Sequence, residues 1–430
     1  MKYKSTWVPI VLRLAIRGAL SLAVLSALLW MAARPAQAQT ETVLWNFCDA
    51  IYCPDGENPG SGLTPDGAGN FYGTTIYGGA NAAGTVFELS PNDGGWNETV
   101  LYSFCSLRAC ADGQSPFFSN VLFSGGNLYG TAQIGGANGW GVVFELSPDG
   151  SGWNETVLFS FCPEGGPCST STGNPAYGLV MDTAGNLYGT TSFGGANKHG
   201  GVFELSPSDG GWTEQVIYNG VDGISSGFSQ LTLDGGNIFG TAGSSSSDST
   251  MVFELSPNGD GGWKATAIHT FTGTGKGPSG AQYTVAFDNA GNIYGTSYYG
   301  GSKNYGTVYE LSPGKKGKWT EKTLYAFKGG TKDGREPAAG VVVDANGNIY
   351  GTTFYGGKFG GGGGDGTVFE LVAPVLPLKS YKEKILWNFN FTDGYEPLGN
   401  SLILDGGNLY GTATWTGGTN GYGVAFEVIP

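Results

Sequence analysis

One segment recurs seven times along this chain of 430 residues, and the recurrence limits the possible folds more than any other feature. Its core reads Gly-Asn-x-aromatic-Gly-Thr and begins at Gly69, Gly126, Gly185, Gly236, Gly291, Gly347 and Gly407. Successive cores lie 57, 59, 51, 55, 56 and 60 residues apart. A period of this length, with strand-like sequence throughout, predicts a β-propeller or a β-solenoid.

Each repeat predicts four short strands. The first is apolar, as in GLVMD at Gly178–Asp182, and an Asp/Gly/Asn turn follows it. The second contains the repeated core, whose glycine leaves room for an aromatic ring or a neighbouring sheet. The third reads GTVFELSP at Gly84–Pro91, and the fourth reads WNETVLYSF at Trp96–Phe104 with side chains alternating between two faces. Apolar residues on both faces indicate small sheets packed between two neighbours.

The chain ends favour a closed ring over an open solenoid. Glu41–Phe47 reads ETVLWNF, which is a fourth strand with no preceding third strand. Gly423–Pro430 reads GVAFEVIP, which is a third strand with no fourth strand after it. Because a solenoid would leave both as bare edges, we expect the N-terminal strand to complete the last sheet. The prediction is an all-β, seven-bladed β-propeller of four-stranded blades, closed by the N-terminal strand.

The N-terminus resembles a secretory signal peptide. Basic residues precede the apolar run Gly18–Ala33, and Ala36-Gln37-Ala38 offers a cleavage site. We predict a signal peptide over residues 1–38 and one propeller domain over residues 39–430. The run is only slightly shorter than a spanning helix, so a retained membrane anchor is the alternative. With cleavage and no C-terminal apolar helix or sorting signal, we expect no stable membrane anchor and a secreted or periplasmic location.

Net charge argues against nucleic acid as a partner. The predicted mature chain keeps 21 − 5 = 16 Lys and Arg against 35 Asp and Glu, a net charge of −19. Such a surface repels phosphate backbones and anionic lipid.

Six cysteines fall as three close pairs in three consecutive repeats: Cys48 and Cys53, Cys105 and Cys110, Cys162 and Cys168. Each pair begins directly after the phenylalanine that ends a fourth strand. This equivalent placement predicts three local disulfides, each holding one loop in an oxidising compartment. A zinc site is the alternative, although the chain has only two histidines to support one.

Two sets of acids recur in the repeats. Every third strand carries a glutamate: Glu88, Glu145, Glu204, Glu254, Glu310, Glu370 and Glu427. Neighbouring strands are about 4.8 Å apart, so these carboxylates lie too far out to converge on the axis, and we expect them to bond donors in their own blades. The turn aspartates predict Asx turns rather than calcium loops: Asp66, Asp182, Asp234, Asp288, Asp344 and Asp405.

Four further aspartates open an Asp-Gly-x-x-Pro step before the innermost strand: Asp55, Asp112, Asp333 and Asp393. Turn formation is the simpler interpretation. The step leads towards the central opening, so a role in ligand binding is the alternative. Ordinary catalytic signatures are absent from the sequence, and neither histidine lies in a recognised motif.

The most variable segment follows Gly-Gly, between the second and third strands, and propeller geometry puts it on the same face as the cysteine loops. Aromatic rings stack on pyranose faces and amides bond their hydroxyls, so these loops predict a carbohydrate-binding surface. Its candidate residues are Trp140, His199, Tyr305, Phe359, Trp415, Tyr422, Asn138, Asn197, Asn304 and Asn420. We expect the aromatic residues directly before Gly-Gly to pack between blades instead: Tyr77, Phe193, Tyr299 and Tyr355.

The segments GNLYGTT, GTVFELSP and WNETVLYSF together resemble the GloVer tandem repeats of exported bacterial proteins, named for Gloeobacter and Verrucomicrobia. The resemblance covers residues 40–430. It implies membership of the choice-of-anchor group, an exported or surface repeat protein, and no catalytic residues.

Two classes of function follow. The favoured one is an exported, non-catalytic binding propeller for a glycan or an extracellular protein, acting as a monomer without cofactor or metal. The alternative is a secreted polysaccharide lyase or hydrolase that uses acids of the inner loops, spaced about 5 to 9.5 Å apart.

Overall fold

A computed structural model describes residues 39–150, 152–162, 168, 171–220, 229–243, 249–273, 276–360, 363–375, 380–398 and 402–430. The predicted signal peptide, residues 1–38, lies outside the described residues. Within the described residues, no helix is long and apolar enough to cross a membrane.

The described chain forms seven small antiparallel sheets, one for each repeat, arranged as the blades of a propeller. Strands of blades 1 to 3 are β2 Glu57–Pro59, β3 Thr64–Pro65, β4 Phe71–Tyr77, β5 Thr85–Asn92, β6 Gly95–Ser103, β7 Leu122–Ser124, β8 Asn127–Ala132, β9 Val142–Pro148, β10 Trp153–Ser160, β11 Thr172–Pro175, β12 Val180–Met181, β13 Leu187–Gly194, β14 Gly201–Ser208 and β15 Gly211–Asn219.

Strands of blades 4 to 6 are β16 Thr232–Asp234, β17 Asn237–Gly243, β18 Thr250–Pro257, β19 Trp263–Phe271, β20 Pro278–Ser279, β21 Ala286–Phe287, β22 Ile293–Ser297, β23 Tyr299–Gly300, β24 Thr307–Pro313, β25 Trp319–Ala326, β26 Gly334–Arg335, β27 Val342–Val343, β28 Ile349–Thr353, β29 Tyr355–Gly356, β30 Thr367–Val372 and β31 Lys382–Asn388. Blade 7 contains β32 Ile403–Asp405, β33 Asn408–Ala413, β34 Val424–Ile429 and β1 Thr40–Asn46. Two 3-10 turns occur at Arg108–Cys110 and Lys315–Gly317.

Strand β1 closes the ring, which confirms the prediction made from the chain ends. It pairs antiparallel with β34, from Thr40 opposite Ile429 to Asn46 opposite Val424. It is therefore the outermost strand of blade 7, whose order is β1-β34-β33-β32. Closure therefore pairs the last strand, β34, on both of its edges.

Two invariant residues of the repeated core, the second glycine and the threonine after it, have a packing reason. A Cβ on Gly73 would lie 2.5 Å from the ring of Phe87, and one on Gly130 would lie 2.5 Å from Phe144. The glycine thus makes room for the buried aromatic residue of the third strand. The threonine after it bonds the next blade: Thr131 Oγ1 donates to Tyr177 O (3.0 Å) and Thr412 Oγ1 donates to Ser61 O (2.7 Å).

The fourth strands depart from the strict alternation that we expected. In all seven blades the pairing of the third and fourth strands shifts by one residue, which is a β-bulge. In blade 1, Phe87 lies opposite Val100 and Val86 lies opposite Tyr102, so Leu101 is the extra residue. The bulge lets both Val100 and Leu101 lie against protein, so the simple two-face pattern is wrong at this position.

Candidate functional site

The loops that carry the predicted site share one face of the propeller, which we call the loop face. It holds the loops between second and third strands and the loops that lead from each fourth strand into the next blade. Backbone bonds join the two sets: Gly79 N–H donates to Cys53 O (2.8 Å) and Gly136 N–H donates to Cys110 O (2.9 Å). The opposite face, with the tight turns, is called the turn face.

All three predicted disulfides are present on the loop face. They join Cys48 to Cys53, Cys105 to Cys110 and Cys162 to Cys168. Glu57 lies beside the first pair, but both sulfurs there are already bonded to each other. Pairing of all six cysteines removes the zinc alternative.

The predicted asparagines stabilise their own loops. Asn138 Nδ2 donates to Phe161 O (3.5 Å) and Asn197 Nδ2 donates to Gly220 O (2.7 Å). Asn420 Nδ2 donates to Phe47 O (3.2 Å), and Asn304 Oδ1 accepts from Gly300 N–H (2.9 Å). These amides fix the loop to the end of a fourth strand, or to itself, and their binding role stays a prediction.

Four predicted aromatic or histidine residues, Trp140, His199, Tyr305 and Tyr422, occupy equivalent positions just before the third strand. Three of their carbonyls accept an N–H from the next blade: Trp140 from Asn174, Tyr305 from Glu336 and Tyr422 from Asn58 (2.7 to 2.8 Å). The position is therefore a blade junction, which is why its side chains lie beside the entry to the next innermost strand.

Their side chains differ in exposure. Trp140 is half-buried and stacks on Phe193 at 4.8 Å between centroids, with the planes 9° apart. Tyr422 and Phe359 are exposed, whereas Trp415 is half-buried. Phe359 borders a cavity of about 310 Å³ together with Lys358. Trp140, Phe359 and the pair Trp415 and Tyr422 thus lie on three different blades, and their ligand role stays a prediction.

The residues before Gly-Gly gave a mixed outcome. Phe193 packs between blades as expected, through its stack on Trp140. Tyr77 and Tyr299 do not, because 43% and 46% of their surfaces are exposed. Our expectation was wrong for these two, because a ring packed between blades would be buried. Tyr355 is half-buried and lies under the Arg335 guanidinium, 4.8 Å from the ring centroid.

Glu145 and Asp66 behave as expected, whereas Glu204 Oε2 also accepts from Trp263 Nε1 of the next blade (3.0 Å), so the expectation that each glutamate bonds only within its own blade is wrong there. Glu145 Oε1 accepts from Asn127 Nδ2 (2.6 Å) and Tyr129 OH (2.8 Å), within one blade. Asp66 Oδ1 accepts from the N–H groups of Ala68 and Asn70, which is an Asx turn. These bonds, and the equivalent ones of Asp182, Asp288 and Asp344, lower the pKa of each aspartate, in opposition to the effect of burial.

The Asp-Gly-x-x-Pro aspartates lie further out than we expected. Asp333 Oδ2 accepts from Tyr325 OH and Lys328 N–H (both 2.9 Å), and Asp55 Oδ2 accepts from Trp45 Nε1 (3.1 Å). Tyr325 and Trp45 belong to fourth strands, the outermost of each blade. These aspartates therefore shape the loops at the rim and do not line the central opening.

Two cavities lie on the turn face. One of about 530 Å³ lies between the turns that contain Asp288 and Asp344, and one of about 430 Å³ lies between those of Asp182 and Asp234. They occupy equivalent spaces between neighbouring blades. Three of these four aspartates are held in Asx turns, so the cavities follow from the repeat and do not mark a distinct site.

The centre of the loop face holds a group of residues that the sequence analysis missed, which we call the axial tyrosine cluster. It consists of Tyr177, Tyr283, Tyr298, Tyr299, Tyr355 and Tyr395, with Arg335, Glu336 and Glu396. Tyr177 and Tyr283 interact electrostatically although they belong to blades 3 and 5. Because these blades are not neighbours, the two side chains approach each other near the axis. Phe118 of blade 2 stacks on Tyr177, 6.0 Å between centroids.

Electrostatic interactions connect the tyrosines to the two glutamates. Tyr298 interacts with Glu336, and both Tyr355 and Tyr395 interact with Glu396. Burial and the interaction with Glu336 raise the pKa of Tyr298, whereas the interaction with Glu396 and then burial raise the pKa of Tyr395 to about 12. Burial also raises the pKa of Glu396. The hydroxyls thus stay protonated as donors at neutral pH.

Arg335 lies between the rings of Tyr305 and Tyr355 on the loop face. Its guanidinium carbon is 5.5 Å from the Tyr305 centroid and 4.8 Å from the Tyr355 centroid. Its Nε is 4.0 Å from Glu336 Oε1. A cation between two rings holds both at a fixed angle.

A sequence signal for this cluster does exist. A proline follows the loop that enters the innermost strand in five of the blades. The residue before this proline is Asn58, Ser115 or Asn174 in blades 1 to 3, and it is Glu336 or Glu396 in blades 6 and 7. All five have positive φ between 50° and 58°, which is unusual for glutamate. Aligning the repeats position by position would have identified Glu336 and Glu396.

Several solved structures are similar to this chain at low sequence identity. Puromycin hydrolase superposes with a TM-score of 0.51 at 12% identity, over 86% of this chain and 53% of that one. A puromycin-hydrolyzing peptidase of Mycobacterium tuberculosis gives 0.48 at 10% identity, over 87% and 53% of the two chains. Trypanosoma rangeli sialidase gives 0.42 at 12%, over 91% and 59%. This chain spans little more than half of each of them, and at 12% identity the likeness to puromycin hydrolase shows the fold alone.

No curated protein matches the chain. The family profile described as the Gloeobacter/Verrucomicrobia repeat matches residues 34–250 and 228–430. Those two matches cover the repeats that resemble GloVer sequences, while membership of the choice-of-anchor group stays a prediction. On this evidence the chain belongs to the Gloeobacter/Verrucomicrobia repeat family.

Proposed function

We propose that this chain is an exported binding propeller that takes a carbohydrate on its loop face, at the axial tyrosine cluster. The observation that carries the proposal is the convergence of six tyrosines and two glutamates from different blades at one opening. Tyrosine rings stack on the apolar faces of sugars. Their hydroxyls and the carboxylates of Glu336 and Glu396 supply the polar groups that orient hydroxyl-rich ligands.

The outer loops extend the same surface. Tyr299 and Tyr422 are exposed, and Trp140 lies at another blade junction of the same face. A polysaccharide is longer than one sugar, so contacts at several junctions would add to those at the centre. In this proposal Trp140, His199, Tyr305, Phe359, Trp415 and Tyr422 are the peripheral contacts.

An extracellular or periplasmic location supports the choice of ligand. Disulfides persist in oxidising compartments, and this chain has three of them. Together with the signal-like N-terminus, they favour a protein that meets polysaccharides outside the cytoplasm.

The alternative is a polysaccharide lyase or hydrolase. The rim aspartates do not suit it, because each is committed to bonds with its own loop. Glu396 suits it better, since burial raises its pKa and a general acid must hold a proton at working pH. Glu336, on the neighbouring blade, would be its partner carboxylate.

A glycan array and a pull-down on insoluble polysaccharides with residues 39–430 test the proposal. We expect retention that is lost in Tyr355→Ala and Tyr299→Ala, weakened in Trp140→Ala and Tyr422→Ala, and unchanged in the matched control Tyr52→Ala. No retention on any glycan would overturn the proposal. Release of reducing or unsaturated ends that stops in Glu396→Gln would favour the enzyme.

A further inference from the structure

Four junctions between neighbouring blades bring two carboxyl groups together, and we call these the seam pairs. They are Glu98 with Asp55, Glu155 with Asp112, Glu383 with Asp333, and Glu41 with Asp393. In each pair the glutamate lies on the fourth strand of one blade. The aspartate lies in the loop that leaves the fourth strand of the preceding blade.

Two of the pairs contain oxygen atoms with no donor. Only 7% of Asp55 and 6% of Asp333 is exposed. In each aspartate the described residues supply donors to Oδ2 but none to the buried Oδ1. Their partners Glu98 and Glu383 likewise have a buried Oε1 without a donor.

The other two pairs differ only in how the aspartate is held. Asp112 accepts from Tyr102 OH (2.7 Å), Ser106 N–H (2.8 Å) and Leu107 N–H (3.2 Å). Asp393 accepts from Asn390 N–H (2.8 Å) at Oδ1 and from Asn390 Nδ2 at Oδ2, so both oxygens of each of these aspartates have a donor. Among the described residues, Oε1 of Glu155 and Oε1 of Glu41 are again buried without a donor.

Two other blade junctions serve as comparisons, because their glutamates, Glu214 and Glu321, each have a polar side chain of the preceding loop or blade as a partner. Ser171 and Thr172 replace the Asp-Gly step in blade 3, and Glu214 accepts from Ser171 Oγ (2.8 Å) and Thr172 Oγ1 (3.0 Å). In blade 5, Glu321 lies 3.8 Å from His269 Nε2. The missing donor is therefore specific to the junctions where the partner is an aspartate.

Two ionised carboxylates that share a buried space repel each other and lack solvation, and a single proton relieves both costs. We propose that each seam pair holds one proton, carried by the glutamate and donated to an oxygen of the aspartate, which in Asp55 and Asp333 is the oxygen without another donor. The aspartate is the better acceptor, because the donors on its other atoms favour its charged form. The proton supplies the hydrogen bond that Ser171 and Thr172 supply to Glu214.

The acidities of the four glutamates agree with this arrangement. Burial and then the neighbouring aspartate raise the pKa of Glu98 and Glu41 to about 8, and the pKa of Glu155 and Glu383 to about 7. Other charges face some of the pairs: Asp49 raises the pKa of Glu98, Lys328 lowers that of Glu383, and Asp365 acts on Asp393.

The consequence is a ring whose blade junctions weaken in alkali. A glutamate with a raised pKa binds more protons folded than unfolded, so stability is complete below its unfolded pKa of about 4.5 and is lost as pH rises through about 7 to 8. This behaviour is independent of any ligand on the loop face.

The double variant Glu98→Gln with Glu155→Gln tests the proposal, because a glutamine amide donates permanently where the proton did. Melting temperatures would be measured at about pH 4, below the unfolded pKa of the glutamates, and at about pH 8.5, with and without EDTA. We expect the variant to equal the wild type at the lower pH and to melt several degrees higher at the upper one. The matched control Glu214→Gln should melt lower at both pH values. Its amide replaces one of the two carboxylate oxygens that accept from Ser171 and Thr172 with a donor.

Equal effects of the double variant at both pH values, or no effect at either, would overturn the proposal. So would an EDTA-induced loss of wild-type stability at the upper pH that the variant lacks, because a cation would then bridge the pair. If the variant fails to fold, the wild type still provides a test. Its unfolding near pH 6 should release up to four protons, one from each seam pair, and release of none would contradict the shared protons.

Discussion

The loops that enter the innermost strands are held differently in two halves of the loop face, blades 1 to 3 and blades 5 to 7. In blades 1 to 3, a disulfide holds each loop that enters the innermost strand. In blades 5 to 7 the equivalent loops contain no cysteine, and Arg335 stacked between Tyr305 and Tyr355 takes over the role in blade 6. The disulfide half presents small residues before proline, and the other half presents Glu336 and Glu396. The disulfides of blades 1 to 3 therefore stabilise the scaffold. In blades 5 to 7 the loops are held by side-chain contacts instead, and their side chains form a surface that we propose binds the ligand.

Reduction of the disulfides should give the largest effect. Each of these disulfides joins cysteines that are five or six positions apart. Reducing one of them should lower the unfolding free energy of the protein by about 2 kcal/mol. We expect reductant to lower the unfolding free energy and to raise hydrogen exchange in the loops of blades 1 to 3 first. If reductant raised hydrogen exchange equally in the loops of blades 5 to 7, the disulfides would also stabilise that half, and the comparison would fail.

Arg335→Ala should come next, with a loss of about 1 to 2 kcal/mol in unfolding free energy, because two cation–π contacts and their packing disappear. Arg335→Lys keeps the charge but loses the planar stack, so we expect it to recover less than half of the loss. Chemical denaturation measures both. Full recovery by lysine would mean that charge alone holds Tyr305 and Tyr355.

Tyr298→Phe removes the hydroxyl that interacts with Glu336 and should cost about 1 kcal/mol or less. The same variant should weaken carbohydrate retention, because Glu336 loses its fixed orientation. Tyr218→Phe, in the outermost strand of blade 3, serves as a comparison in the same denaturation and retention assays. A loss of stability without any change in retention would place Glu336 outside the ligand site.

Tyr52→Ala should give the smallest effect. Tyr52 is 90% exposed at the tip of the first disulfide loop. Surface substitutions of this kind change unfolding free energy by about 0.5 kcal/mol or less. A larger change in thermal unfolding would show that the disulfide half relies on its exposed rings as the other half does.

Much of the scaffold was predictable because it is local and repeated. The chain ends predicted the pairing of β1 with β34, and the position of the cysteines predicted the disulfides. The bonds of Glu145 and Asp66 followed from strand spacing and turn chemistry. Predictions failed where a residue's surroundings come from another blade: the exposure of Tyr77 and Tyr299, and the rim position of Asp333.

The sequence by itself determined the number of blades, the closing strand and the disulfides, because each depends on residues inside one repeat or at the two ends. Only the tertiary structure decided which side chains meet at the axis and at the seams. Tyr177 and Tyr283 are 106 positions apart, and Asp393 meets Glu41 across the closure of the ring. Such contacts leave no periodic pattern in the chain, since they exist only once seven blades have packed in a circle.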